Sequence, residues 1–294
     1  ITLDGNFLAK FSSLAAQTIY LTDGAMEVGG AAGLYANKIA RDEIAPVRMT
    51  GNYGSEILRN NIAFKPKSLN QDLFESGFIP HLKNASATYF SEKKNNPDSF
   101  IPFKQVPWHH FSRFALESSQ LTVRSPYLDN ELVALSYQAP SGITVNQLMA
   151  ARLIADGNPA LATFPTDRGP LGRSGAFGKV RKEFQEFTFK AEYAYDYGMP
   201  QWLAKMDRVV KPLRLEKLFL GRHKYYHFRY WYRNELAPFV KEVLLDQRAL
   251  SRPYLNRKNV EQMVSAHVNG TGNYTSEIHT LLTGELIHRQ LIEK

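Results

Sequence analysis

Apolar residues recur at helical spacing in the C-terminal part of the chain. One set falls within residues 236–244, a second within 260–268 and a third within 278–286. In each set the spacing of three and four residues places the apolar side chains on one face of an amphipathic helix. Gly270 follows the second set and is typical of the position just beyond a helix C-terminus. The pattern predicts three helices that pack through their apolar faces.

The first 60 residues combine a helical pattern with a short strand. We predict a helix over residues 31–42 and a strand over 45–50, which ends at a turn containing Gly51 and Gly54. A further helix is expected over residues 56–60. A strand, a glycine turn and a helix in succession place ligands at the carboxyl edge of an α/β sheet.

Another glycine cluster, formed by Gly29, Gly30 and Gly33, lies at the start of the first of these helices. It does not match the G-x-G-x-x-G pattern of dinucleotide-binding folds, and no clear strand precedes it. We interpret it as a site of close helix packing or as a helix cap.

The middle of the chain is expected to be irregular at first and helical afterwards. Residues 61–105 are polar and interrupted by prolines, so we predict a loop-rich insertion, with residues 93–98 in a solvated loop. Two helices are expected between residues 108 and 139, separated by a break at Pro126. Residues 158–175 are predicted to form a loop, and the rest is helical. The predicted fold is a mostly helical α/β domain, divided into residues 1–60, 61–105 and 106–294.

Composition excludes several classes of protein. The chain has 294 residues, of which 44% are hydrophobic and 22% charged, so it can bury a sizeable core. No apolar run is long enough to span a membrane, and we expect no membrane partner. Cysteine is absent, which excludes disulfides, cysteine zinc and iron–sulfur sites and a cysteine nucleophile, and fits a cytoplasmic protein. The net charge of +8 suggests an anionic partner.

A basic and aromatic segment at residues 222–233 contains His223 and His227, four positions apart. On a helix this spacing would place two imidazoles on one face, but a zinc site needs a third ligand, which is not near in sequence. The interleaved aromatic and basic residues also suggest a nucleic-acid surface. We favour a helix with an aromatic core face and a solvated basic face. His109 and His110 are likewise expected to be structural.

The glycine turn is the most informative candidate for chemistry. Gly51 and Gly54 allow a tight backbone and the close approach of a ligand, and free amides at the start of the next helix favour anions. Glu56 is then expected in the first helical turn. The alternative is an ordinary connection between a strand and a helix.

Two segments resemble the synthetase domain of asparagine synthetases. Residues 50–59, T-G-N-Y-G-S-E-I-L-R, resemble the segment that follows a core strand in that family, S-G-E-G-x-D-E-x-F-x-G-Y. Residues 123–133, V-R-S-P-Y-L-D-N-E-L-V, resemble its E-x-R-x-P-F-L-D-x-x-L-V segment. Residues 250–273 resemble its closing helices, so the resemblance spans nearly the whole chain. It implies an adenine-nucleotide α-hydrolase-like (PP-loop ATP pyrophosphatase) fold with a large C-terminal helical region.

The resemblance also implies an activity. The family forms an acyl-adenylate from a carboxylate and ATP with Mg²⁺, and ammonia derived from glutamine then displaces AMP. The implied partners are therefore ATP, a small carboxylate substrate and, in a full-length protein, a glutaminase domain. A homodimer is a candidate assembly, and nucleic acid is the least favoured partner.

By this resemblance Thr50 and Gly51 border the nucleotide, and Gly54 and Glu56 belong to the same cofactor-binding turn. For Arg124 and Asp129 of the R-x-P-Y-L-D segment we prefer a structural role, as an ion pair or as caps that tie a loop between two helices.

Several positions depart from the family pattern. Asn52 falls at the catalytic glutamate, and an amide cannot act as a general base. Ser55 falls at an aspartate associated with Mg²⁺, where a hydroxyl is a poor replacement. Arg168 and Lys179 are the candidates for the basic residue that neutralises the departing pyrophosphate, with solvated charges as the alternative.

The family's pyrophosphate loop, S-G-G-x-D-S, is not in this sequence, and the chain is expected to begin in the middle of the family's domain. We therefore expect an asparagine synthase-like, ATP-dependent ligase domain that is inactive as this chain alone. The alternatives are a catalytically degenerate relative that binds a nucleotide or a partner, and third a basic nucleic-acid-binding domain.

Overall fold

The computed structural model describes residues 1–62, 64–97, 99–140, 148–164, 176–199, 201, 204 and 218–293. This part of the chain is mostly helical and contains a small two-stranded parallel sheet. The helices are α1 (Gly5–Thr22), α2 (Ala31–Glu43), α3 (Gly54–Arg59), α4 (Ile79–Asn95), α5 (Phe111–Ser118), α6 (Asn130–Gln138), α7 (Leu148–Gly157), α8 (Ala176–Tyr193), α9 (Phe228–Arg233), α10 (Ala237–Leu244), α11 (Gln247–Leu250), α12 (Arg257–Val268) and α13 (Thr275–Ile287). The strands are β1 (Val47–Met49) and β2 (Thr122–Arg124).

The main core joins the N-terminal and C-terminal helices. Phe11 of α1 packs edge-on against Phe239, with ring centroids 5.6 Å apart, and contacts Phe228 of α9 at 5.8 Å. Tyr232 and Ile278 are completely buried in the same cluster. The predicted amphipathic stripes are confirmed, because the apolar positions of α10, α12 and α13 all face this core.

Close packing at the glycine cluster explains why small residues occur there. A Cβ on Gly30 would lie 2.8 Å from both Met26 Cγ and Thr18 Cγ2, which is too close for a side chain. A short 3₁₀ turn, Val28–Gly30, leads directly into α2. The prediction of close helix packing at this cluster is therefore confirmed.

The prediction of a loop-rich segment over residues 61–105 is confirmed for the described residues between 61 and 78, which form only short 3₁₀ turns, and is wrong beyond them. Helix α4 occupies residues 79–95 and includes Lys93 and Lys94, and a π-helix, Ile101–His110, leads into α5. The proline at position 80 lies in the first turn of α4, where a missing N–H has no cost. A small second core, formed by Tyr89, Phe100 and Ile101, holds the two helical segments together.

Strand β2 lies inside the segment that we predicted as a helix, a break and a second helix. Three residues are too short to show the alternation typical of a strand. The break itself is confirmed. The carboxylate of Asp129 accepts hydrogen bonds from the amides of Glu131 and Leu132, both at 3.0 Å, and so caps α6. Arg124 forms no ion pair with any residue that the structure describes.

Candidate functional site

The candidate site lies where β1 and β2 end side by side. The two strands are parallel, with Met49 opposite Arg124. The Thr50 amide donates to the Arg124 carbonyl at 2.9 Å, which extends the pairing by one residue beyond β1. The Ser125 hydroxyl then donates to the Asn52 carbonyl at 2.7 Å, across 73 positions of sequence. The glycine turn and the R-x-P-Y-L-D segment therefore meet at the carboxyl edge of the sheet.

A tight turn carries the chain from β1 into α3. Tyr53 adopts a left-handed backbone conformation with φ of 73°, which is uncommon for a residue with a bulky side chain. The next residue must be small, because a Cβ on Gly54 would lie 2.8 Å from the ring of Tyr127. A Cβ on Gly51 would meet nothing within 4 Å, so its backbone borders open space.

A buried carboxylate lies beside Asn52. The side-chain amide nitrogen of Asn52, Nδ2, is 3.3 and 3.4 Å from the two carboxylate oxygens of Glu117, which is almost fully buried on α5. Arg113 donates to the same carboxylate at 3.3 Å, and Arg48 approaches it to 3.8 Å. These two cations compensate the burial of the charge. Arg48 also donates to the Asn37 side chain at 2.8 Å, which ties β1 to α2.

Glu56 belongs to a second buried polar group at the same edge. One of its carboxylate oxygens lies 3.2 Å from Nε2 of His110, and both side chains are buried. Burial would raise the pKa of Glu56, but the hydrogen bond from His110 and the charge of Arg113 outweigh it and hold that pKa below its ordinary value.

Tyr53 joins the two groups. Its hydroxyl donates to the His110 carbonyl at 3.2 Å, and its ring centroid lies 4.8 Å from that of His110. Burial, with the nearby negative charges of Glu117 and Glu56, raises the pKa of Tyr53 to about 12. The phenol therefore stays neutral at physiological pH and acts here as a hydrogen-bond donor.

The predicted metal position does not fit Mg²⁺. The hydroxyl of Ser55 accepts a hydrogen bond from the guanidinium of Arg59, one turn later on α3, so one of its two lone pairs is taken and a positive charge lies beside it. A hydroxyl in this arrangement is a poor ligand for a hard divalent cation. No cluster of three histidine or carboxylate side chains that could hold a metal was found in the described part of the chain.

The structure brings together all the candidates of the glycine turn. Thr50 is buried, and its hydroxyl oxygen accepts a hydrogen bond from the backbone N–H of Asn52 at 3.2 Å. The position of the two basic candidates, Arg168 and Lys179, relative to the glycine turn is not described. Arg168 lies outside the described residues, and so does the side chain of Lys179, whose backbone belongs to α8.

Sequence reasoning missed His110, Arg113 and Glu117. We interpreted His110 as structural, and its buried contact with Glu56 depends on the π-helix that precedes α5. Arg113 and Glu117 are four positions apart, the spacing of an ion pair on one helical face. That spacing could have indicated the pair, but it could not have placed Asn52 beside it.

The basic and aromatic segment at 222–233 differs from our prediction. His223 and His227 do not share a helix, because α9 begins only at residue 228. His223 instead pairs with the Thr188 hydroxyl at 2.9 Å, and His227 lies 4.0 Å from Glu192. The expected solvated basic face is also wrong in part, since Lys224 is buried.

Lys224 forms a buried ion pair with Asp196 in a π-helix, Ala194–Gly198, that continues α8. The ammonium lies 2.5 Å from the carboxylate. The rings of three tyrosines surround it at 4.6 to 5.1 Å from their centroids, and these are Tyr193, Tyr197 and Tyr226. Arg229, also buried, stacks on Tyr195 at 4.2 Å. These cations bind groups of the chain itself.

Comparison with known proteins adds no further assignment. No family model matches the chain, and neither a curated protein nor a solved structure matches it at a significant level. Among the described helices, none is long and apolar enough to cross a membrane.

Proposed function

We propose that this chain is part of an asparagine synthase-like domain of the PP-loop ATP pyrophosphatase fold, whose inherited function is ATP-dependent amide formation on a carboxylate. The observation that carries the proposal is the meeting of the two motif segments at the carboxyl edge of β1 and β2. They are far apart in sequence, yet the Ser125 hydroxyl binds the Asn52 carbonyl at 2.7 Å. Ligands of open α/β sheets bind at this edge.

Features of the edge also fit a nucleotide phosphate. The backbone at Gly51 is open, so a ligand can approach it closely. The guanidinium of Arg113 uses Nε for Glu117 and its side chain is 46% exposed, which leaves its terminal N–H groups for an anion. Planar guanidinium groups bind phosphate oxygens in pairs.

The same geometry argues against adenylate formation by this chain alone. Asn52 presents an amide where the family has a base, and the hydroxyl of Ser55 is taken by Arg59. Glu117 is close to Asn52, but its carboxylate already accepts a hydrogen bond from Arg113 and is approached by Arg48. Asn52, Ser55 and Glu117 therefore do not supply the acidic groups that the family has at positions 52 and 55.

These observations favour one second candidate, a non-catalytic relative that binds a nucleotide without activating a carboxylate. The third candidate, a nucleic-acid-binding domain, loses part of its support because two of the four cations of the segment 222–233, Lys224 and Arg229, are buried. A nucleic-acid surface needs cations that are free to contact phosphates.

Titration of the chain with ATP and Mg²⁺ by calorimetry tests the proposal. We expect binding, and we expect Gly51→Val to weaken it at least about tenfold, because a Cβ at this position enters the open space at the edge and meets no other protein atom within 4 Å. Gly77→Val is the matched control, since a Cβ at this distant position also meets nothing within 4 Å. This control should bind ATP as the wild type does.

Absence of ATP binding at millimolar concentration, or equal binding by the Gly51→Val variant, would refute the nucleotide site. Exchange of labelled pyrophosphate into ATP separates the two candidates. Exchange catalysed by the protein purified from its source would support the ligase, whereas ATP binding without exchange would support the non-catalytic relative.

A further inference from the structure

A cavity of about 160 Å³ lies between the C-terminal helices and the segment that leads into α4. Buried apolar side chains of the main core form its floor, among them Leu244 of α10, Val260 of α12 and Leu281 of α13. Phe78 and Tyr254 line it as well and are half-buried. The cavity is therefore closed towards the core and open to solvent on the side of these two rings.

The wall that faces the C-terminal helices is held in place by the chain itself. The Glu75 amide donates to the Tyr254 carbonyl at 3.0 Å, and Phe74 forms an isolated antiparallel bridge with Leu255. The ring centroid of Phe78 lies 5.7 Å from that of Phe74 and 5.2 Å from that of Tyr254. These contacts need no ligand, so the cavity is preformed, as small-molecule sites usually are.

A glycine within α13 leaves part of this space open. Gly284 lines the cavity, and a Cβ there would meet nothing within 4 Å, so no packing contact requires a glycine. Its φ is not positive, so the backbone does not require one either. Glycine in the interior of a helix is destabilising relative to alanine. The chain therefore has an unfavourable residue at a position where a side chain would take up cavity volume.

The chemistry of the walls selects an uncharged ligand. Among the described residues that line the cavity, Glu285 alone is charged. Its carboxylate is paired with Arg252 at 2.9 Å and with Arg289 at 2.7 Å, and neither arginine lines the cavity. A charged ligand would find no unpaired opposite charge here, and its burial would be costly.

The volume selects a small ligand. Apolar cavities of about 150 Å³ stay dry and bind benzene, which restores the contacts that the atoms around an empty space lack. Phe74, Phe78 and Tyr254 place three aromatic rings in the walls. Aromatic rings attract one another in edge-on and offset contacts beyond the effect of buried area, so these walls favour a ring as the occupant.

We propose that this cavity binds a small, uncharged molecule that contains a single aromatic ring. The ring lies on the apolar floor, beside the backbone of Gly284, and contacts the aromatic side chains of the wall. No residue of the glycine turn is among the described residues that line the cavity. The inference therefore goes beyond the proposed nucleotide site and does not depend on it.

Titration with benzene, followed by NMR of the leucine and valine methyl groups, tests this proposal. We expect saturable shifts with a Kd below about 5 mM, and at least about tenfold weaker binding of benzoate, which carries a charge on the same ring. Gly284→Leu places a side chain in the open space and should weaken benzene binding at least about tenfold. Gly5→Leu is the matched control, because Gly5 is also helical, has open space at its Cβ and does not line the cavity. This control should bind benzene as the wild type does.

Ala249→Val provides a second variant, which adds two methyl groups to the buried floor and should weaken binding by a similar factor. It keeps the test decisive if Gly284→Leu fails to fold, which circular dichroism would show. The proposal is overturned if benzene gives no saturable shift up to about 5 mM, if benzoate binds as tightly as benzene, or if either folded variant binds benzene as the wild type does. Equal weakening by Gly284→Leu and Gly5→Leu would also overturn it.

Discussion

The buried ion pair between Lys224 and Asp196 should be a major determinant of stability. Each side chain is 1% exposed, and the ammonium lies 2.5 Å from the carboxylate. Replacing lysine by methionine keeps most of the aliphatic volume among the surrounding tyrosines and removes the charge. The carboxylate is then left buried with a backbone amide, that of Arg229 at 3.4 Å, as a weak partner.

The expected cost follows from this burial. Removal of one partner from a buried pair destabilises a protein by about 3–5 kcal/mol, because the other charge is left uncompensated. We therefore expect Lys224→Met to lower the free energy of unfolding by about that amount. The double variant with Asp196→Asn should cost clearly less than the sum of the two single variants, since it leaves no unpaired charge.

The cost should also depend on pH. Burial raises the pKa of Asp196 above its ordinary value, and the charge of Lys224 opposes that rise. Without the lysine the pKa rises further, so the folded variant binds a proton more tightly than the unfolded chain does. When the pKa of a carboxyl group is higher in the folded than in the unfolded state, the free energy of unfolding decreases as pH increases. The variant should therefore be closest to the wild type at pH 5 and furthest from it at pH 8.

Urea unfolding followed by circular dichroism at these two pH values measures both effects. Lys258→Met is the matched control, because Lys258 is exposed on α12 and the same substitution should change stability by less than about 0.5 kcal/mol. A loss below about 1 kcal/mol for Lys224→Met, or a loss that grows as pH falls, would show that the pair does not carry the role argued here.

Two further predictions concern other parts of the fold. Burial lowers the pKa of His267 to about 4, so the chain should lose about 3 kcal/mol of stability as pH falls from 6.5 to 4. His267→Asn keeps an acceptor for the backbone amide of Tyr274 but cannot be protonated in this range. Urea titrations of this variant should therefore show a weaker dependence of stability on pH. Gly54→Ala should lower the thermal midpoint, at a cost of about 1–3 kcal/mol from the clash with Tyr127, whereas Gly77→Ala should have little effect; equal midpoints would contradict the tight turn.

Helices with a continuous apolar stripe could be predicted from the sequence. The stripes of α10, α12 and α13 repeat over at least two turns, and burial of that face is what stabilises each helix. Helix α4 could not be predicted in the same way. Few of its side chains are buried, and it depends on a small separate core around Tyr89 and Phe100.

The candidate site was predictable only in part. The two glycines mark a turn in the sequence, but the requirement for glycine at position 54 comes from the ring of Tyr127, which is distant in sequence, and a Cβ on Gly51 would meet nothing within 4 Å. Glu117 and His110 reach the site from a different helical segment, and nothing in their own neighbourhood shows which strand end they will contact. The resemblance to the synthetase family indicated which segments to examine but not their pairing.

The amino-acid sequence by itself determined the elements whose signals are local. These are the amphipathic helices, the glycine turn, the helix cap at Asp129, and the absence of cysteine chemistry. Tertiary structure decided which charges are exposed and which are paired. Lys224 appears in sequence as one of many surface cations, and only the folding of the tyrosines and Asp196 around it makes it a buried ion pair. Long-range packing sets the local dielectric and the partners of a charge, and no short window of sequence contains that information.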